Sequence, residues 1–306
     1  MKIIVGHGRG LKPTKACKLG YVREVLTESV RRVSHKAGAW LKAHPRAIEL
    51  AYYADLFQHL ADEPTESCDS FREPIDRLYR ESRLCPTWPK FRGLMKDLAM
   101  DAAVLLTRFL DPGVRQQIMS QQFLDILPYF QRPRFAAQVR ERLLRVLVPA
   151  LKHGEPTVLI GHSLGSVVAY DTLWLLSHTP RYARLQDRRI AQFITMGSPL
   201  GDQLVKGLLM GWRHPLPQRY PTNILAWDNL SARGDLVCHD AHIGDDFQQM
   251  RRLQLITRLT DHENLCAVYR GRQEQWNPHK LYGYLILPQL GRLVAEHIRA
   301  HTRTRR

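Results

Sequence analysis

Val158-Leu159-Ile160-Gly161-His162-Ser163-Leu164-Gly165-Ser166-Val167-Val168-Ala169-Tyr170 decides how this chain folds. An apolar run of strand type ends at Gly161, a serine stands between two glycines in the pattern G-x-S-x-G, and a helix-like run follows at once. A serine that must project its hydroxyl from the top of a sheet sits in a strained turn, where side chains two positions away would strike neighbouring backbone; Gly161 and Gly165 remove them. A helix opening at that serine points its first amides at the spot where an oxyanion develops, and the amide of Leu164 is the expected first donor. Ser163 is therefore the candidate nucleophile.

Upstream, Lys2 to Gly6 reads as a buried strand feeding the glycine loop Gly6-His7-Gly8-Arg9-Gly10. Val22, Val25, Leu26, Val30 and Val33 recur at helical spacing between Tyr21 and about Lys36. Ala47 to Leu56 fits a second strand, with a helix not excluded. An amphipathic helix from Arg134 to about Leu151 leads through Gly154-Glu155-Pro156 into the strand before Ser163. Downstream, Ile190 to Met196, Asn223 to Trp227 and a weaker run in Leu265 to Tyr269 supply further strands. This alternation predicts an α/β fold, a mostly parallel sheet flanked by helices on both faces. Residues 57–133 break the pattern with a polar stretch rich in Pro, Ser and Glu and a helical run from Leu94 to Leu110 that stops at Asp111-Pro112-Gly113. We read them as a helical insertion within a single domain, residues 1–306.

No apolar run approaches the roughly 18 to 20 residues that span a bilayer, and the N-terminus lacks the apolar core and cleavage site of a signal peptide, so the chain is expected to start directly in a strand. Five scattered cysteines without a C-x-x-C pair predict neither a disulfide framework nor a zinc knuckle, which makes a reducing cytoplasm the default location. A net charge of +16 favours anionic partners. The basic residues are spread along the chain, with a modest cluster only at Arg299, Arg303, Arg305 and Arg306, which speaks for general surface character and makes nucleic acid an unlikely ligand.

The elbow around Ser163 resembles that of the α/β-hydrolase family, in particular its bacterial lipase-like and esterase-like members, where G-H-S-L-G is frequent. Further segments match in the family's order: His7-Gly8 after the first strand, Met196-Gly197-Ser198-Pro199-Leu200 after the strand that follows the elbow, an acidic residue in a loop and a late histidine. The match covers perhaps two thirds of the chain and leaves residues 57–133 unexplained.

A serine hydroxyl attacks acyl carbon slowly at neutral pH unless a base takes its proton, and the base in turn needs an orienting acid. The resemblance implies the order Ser, acid, His. The acid position falls on Asp235 in Arg233-Gly234-Asp235-Leu236-Val237, with Asp228 at the end of the preceding strand as the alternative. The base position falls on His279 in Asn277-Pro278-His279-Lys280-Leu281-Tyr282-Gly283-Tyr284, while His239, His242 and His262 compete. Gly8 lets the first loop approach closely, and the resemblance points to the amide of Arg9 as the second oxyanion donor, with His7 ordering the loop. Cys238-His239-Asp240-Ala241-His242 with Asp245 and Asp246 gathers metal-capable side chains, but without a helical H-E-x-x-H or paired cysteines it reads better as a solvated loop, and no metal is expected. Trp212, Tyr220 and nearby prolines fit either a pocket rim or loop packing.

The resulting expectation is a serine hydrolase that cleaves an ester through an acyl-enzyme and needs no cofactor. The same triad would serve a thioesterase, amidase or peptidase. A small-molecule or lipid acyl substrate, an insertion that covers the site as a lid, and peripheral contact with an anionic membrane complete that expectation. The competing expectation is a catalytically silent hydrolase fold that binds a polyanion or a protein through its basic surface.

Overall fold

The computed structural model describes residues 1–9, 12–61, 64–69, 72–84, 126–238, 240–270 and 277–303. Among the described residues six strands form one sheet: β1 (Lys2–Gly6), β2 (Ile48–Ala51), β3 (Thr157–His162), β4 (Ile190–Met196), β5 (Ile224–Ala232) and β6 (Arg258–Leu265). Their order is β2-β1-β3-β4-β5-β6, and every pairing is parallel. The four longest described helices are α1 (Lys15–Val33), α2 (Pro133–Lys152), α3 (Leu164–His178) and α4 (Pro288–Arg303).

Strand residues alternate between two apolar layers, because successive side chains leave a strand on opposite faces. Ile4, Leu159, Phe193 and Trp227 pack with Val139 and Leu147 of α2 and Val167 and Leu173 of α3. Ile3, Val5, Val158, Ile160 and Ile194 pack with Val22 and Leu26 of α1 and Val294 and Ile298 of α4. Both faces of the central strands are thus buried, which explains their near-continuous apolar sequence. The expected fold class, α/β with a parallel sheet between helices, is what the chain adopts.

Register sets the working edge. Gly6 pairs with Gly161, His162 with Met196 and Met196 with Leu230, so the carboxyl ends of β1, β3, β4 and β5 finish in one row. Loops leaving those ends are neighbours whatever their separation in sequence, which is where open parallel sheets place their sites.

Several elements depart from expectation. The helix expected from Tyr21 begins earlier, at Lys15, where Thr14 accepts from the Cys17 amide, and it stops at Ser34, whose hydroxyl caps a separate helix, His35–Ala43. Ala47 to Leu56 is divided between β2 and a helix, Ala54–Ala61. The last strand is not Leu265 to Tyr269 but Arg258–Leu265: an edge strand exposes much of its length, so Arg258, Thr260, Asp261, His262, Glu263 and Asn264 occupy it without an apolar run. Cys17 and Cys68 form a disulfide and Cys266 is also disulfide-bonded, which corrects the expectation that the cysteines form no disulfide framework and removes the argument it gave for a reducing compartment. The helical run Leu94 to Leu110, its stop at Asp111-Pro112-Gly113, and Gly10 lie outside the described residues. Of the proposed insertion, helix Ile75–Leu84 buries Leu78 in the α1 layer, whereas Ile126 and Tyr129 are buried in the α2 layer.

Candidate functional site

Ser163 lies between β3 and α3 with φ 55° and ψ −128°, a positive φ that a residue with a side chain adopts only where its surroundings enforce it. The enforcement is local. The Ser163 amide donates to the Met196 carbonyl at 3.0 Å, tying the elbow to the end of β4. A Cβ on Gly161 would lie 2.6 Å from Ser166 Cα, and one on Gly165 2.6 Å from the Gly6 carbonyl oxygen, so the close approach of helix and strands depends on both glycines. Ser166 adds a hydroxyl bond to the Ser163 carbonyl at 2.6 Å and a second, at 2.7 Å, to Ser198.

His279 reaches the same point from the segment after β6. Its Nε2 lies 2.9 Å from Ser163 Oγ, and its Nδ1 lies 2.9 Å from each carboxylate oxygen of Asp235. Asp235 sits in the turn after β5, where its Oδ1 accepts from the Val237 amide at 3.0 Å and its Oδ2 from the Tyr284 hydroxyl at 2.6 Å. Burial by itself would raise this carboxyl, but the adjoining His279 charge and the bonds from His279, Tyr284 and Val237 outweigh it and hold Asp235 below the ordinary carboxylate value. The fold thus brings together Ser163, His279 and Asp235.

The loop after β1 closes the other side. A Cβ on Gly8 would approach Ser163 Cβ to 2.8 Å and Oγ to 3.2 Å, so only glycine admits this contact, and Arg9 is the residue that follows it. Burial, then Lys18 and Lys12, push His7 well below the usual imidazole value; neutral, it donates from Nδ1 to the Gly8 carbonyl at 2.8 Å and accepts the Tyr53 amide at Nε2. The Tyr53 hydroxyl donates to the His7 carbonyl. Tyr53, unassigned in sequence, is therefore the brace of this loop. Leu164 opens α3, and the first amides of a helix have no partner within it.

Gly197 also gains meaning only in three dimensions. It has φ +51°, and a Cβ there would stand 2.7 Å from Asp235 Oδ2 and 3.1 Å from His279 Nδ1. His162 donates from Nε2 to the His279 carbonyl at 2.8 Å; burial, followed by repulsion from His279, keeps it neutral and far below its ordinary value. The sequence signals for these residues were a glycine after a strand and a histidine before a serine, both too common to assign.

The competing candidates are occupied elsewhere. Asp228, fully buried within β5, accepts from Gln192 at 2.5 Å, Arg258 at 2.7 Å and His262 at 2.8 Å. His242 pairs with Glu263 at 2.7 Å, and His239 lies outside the described residues. Cys238 Sγ turns towards the Asp235 carbonyl and the Tyr284 hydroxyl, and among the described residues no group of three or more His, Cys, Asp or Glu side chains is set to hold a metal. Trp212 and Tyr220 pack on Phe247 beside Trp227, in keeping with the packing alternative.

No protein-family model and no solved structure matches the chain. A protein of Schizosaccharomyces pombe named as a probable mitochondrial phospholipase is 32% identical to it over 149 residues, 45% of this chain and 19% of the relative. The chain thus spans about a fifth of the length of the curated relative it matches. Among the described residues no helix is long and apolar enough to cross a membrane.

Proposed function

We propose that this chain is a serine hydrolase that cleaves a carboxylic ester, with Ser163, His279 and Asp235 as its triad. The observation that carries the reading is the unbroken run of 2.9 Å contacts from Ser163 Oγ through the His279 ring to the Asp235 carboxylate. Ser163 Oγ bonds to the ester carbonyl carbon while His279 Nε2 takes the hydroxyl proton, and the amides of Leu164 and Arg9 hold the oxygen that becomes negative. When the tetrahedral centre collapses, the ester C–O bond breaks and His279 returns its proton to the departing alcohol. Water then adds to the acyl-serine, giving its proton to His279, and collapse releases the acid and restores the serine. Asp235 orients the ring and supports its positive charge throughout, and the sequence of steps requires no cofactor.

A lipid ester is the substrate class we favour, supported by the likeness to the Schizosaccharomyces pombe probable phospholipase and by the +16 charge, which suits an anionic lipid surface. In this proposal the protein works at an anionic membrane surface. A fluorophosphonate, which phosphonylates activated serines, tests the core of the reading. Wild type should be labelled, Ser163→Ala should not, and ester hydrolysis should fall on the order of 10⁴-fold or more. An unlabelled wild type that binds polyanions in a salt-sensitive manner would replace this reading with that of a silent binding module.

A further inference from the structure

The phenol of Tyr284 joins the segment supplying the proposed acid to the segment supplying the proposed base. It lies five residues beyond His279, in the short helix Leu281–Leu285, and is wholly buried. Its hydroxyl donates to Asp235 Oδ2 at 2.6 Å and accepts the Ala232 amide at 2.9 Å. Ala232 ends β5 just where the register with β6 slips, so the backbone leaving the strand is pinned by the same oxygen that binds the carboxylate.

We infer that Tyr284 is a positioning residue for the proposed acyl transfer: its O–H fixes Asp235 so that the carboxylate presents both oxygens to His279. His279 Nδ1 carries one proton, shared between two oxygens at equal distance, a symmetric arrangement that persists only if something else stops the carboxylate from turning. The Val237 amide stops Oδ1 and the Tyr284 hydroxyl stops Oδ2. Without the phenol, Oδ2 keeps only half of a shared bond, and the carboxylate is free to rotate about its own axis. The hydroxyl is also a dependable donor, because burial and then the Asp235 charge hold it far above the ordinary phenol value, protonated wherever the triad works. Nothing in the strand, turn and helix pattern marks this residue, which is one of 11 tyrosines.

The inference rests on the serine-hydrolase reading, and the experiment separates the two. Wild type, Ser163→Ala and Tyr284→Phe, each as the full chain, are compared in fluorophosphonate labelling and in kcat and KM on a p-nitrophenyl ester across pH. Tyr284→Phe should still be labelled at Ser163, with kcat lowered about tenfold and KM unchanged, because orientation and not substrate contact is lost. The acid limb of its kcat/KM profile, which reports the base of the free enzyme, should move to higher pH, since a carboxylate relieved of one donor holds more charge against the imidazolium. A labelled wild type and a Tyr284→Phe variant with native kcat and an unmoved limb overturn the inference alone. A wild type without labelling overturns the hydrolase reading and this inference with it. Should Tyr284→Phe not fold, a ring-fluorinated tyrosine at 284 keeps the shape and strengthens donation, and must move the limb to lower pH; a fixed limb overturns the role.

Discussion

Gly197 shows how much of the candidate site rests on an atom that is missing. Its φ of +51° disfavours any L side chain, and the space where a Cβ would stand is bounded by Asp235, His279 and Tyr284 within about 3 Å. These neighbours are held by hydrogen bonds, so they cannot yield as a flexible surface chain would. Gly197→Ala is expected to cost about 1–2 kcal/mol of stability through backbone strain, and to lower kcat at least tenfold by displacing the carboxylate from His279. Chemical denaturation and ester kinetics measure the two effects, and a variant with native turnover would mean that the methyl is accommodated without moving Asp235. At this scale the sequence was legible where the chemistry is local. Gly161, Ser163 and Gly165 announce themselves because strand, turn and helix are contiguous. Asp235 and His279 could be named only through chain order and the short segments around them that resemble the family's, since their meeting with Ser163 depends on which strands are neighbours. The roles of Tyr53, Gly197 and Tyr284 could not be read, although Gly197 and Tyr284 lie in segments that match the family, because each acts through a contact with a residue dozens of positions away.

Helix α3 is bound to its surroundings by a titrating group. Asp171, fully buried eight residues beyond Ser163, accepts the Tyr129 hydroxyl at 2.8 Å and the Met210 amide at 2.9 Å, with Arg140 of α2 at 3.9 Å. Burial raises its carboxyl to about 6, against the lowering effect of those partners. The folded chain therefore holds this proton up to a higher pH than the unfolded chain does, so the associated stability is full at low pH and is lost as pH rises through about 6. Asp171→Asn removes the ionisation. It should stabilise the protein relative to wild type by roughly 1–3 kcal/mol at pH 8, with the difference shrinking below pH 5, as read from denaturation midpoints at the two pH values. A difference that does not change with pH would mean that Asp171 ionises normally. Element by element, buried strands were the easiest to read: β1 and β4 coincide with their apolar runs. The exposed edge strand β6 was misplaced because it offers no periodic apolar face, and the break at Ser34 passed unseen because helical spacing continues across it.

For the molecule as a whole, a charge of +16 on 306 residues produces a field felt well beyond any one contact. If the substrate is presented at a lipid surface, vesicles containing anionic lipid should bind the full chain more tightly than neutral ones. That preference should fade between about 0.1 M and 1 M salt as the screening length falls from about 10 Å to 3 Å. Equal sedimentation with both kinds of vesicle would detach the charge from the proposed substrate. The parallel sheet has a subtler effect. Asp228 and His262, on adjacent strands, form a second carboxylate and imidazole couple at 2.8 Å, and among the described residues no serine hydroxyl is bonded to that ring. Neighbouring strands generate such couples readily, whereas a hydroxyl aimed at one demands a contorted backbone and a clearing of glycines. A descendant drifting out of use would relax the contortion first, and would go on displaying two intact acid and imidazole couples long after it had ceased to turn anything over.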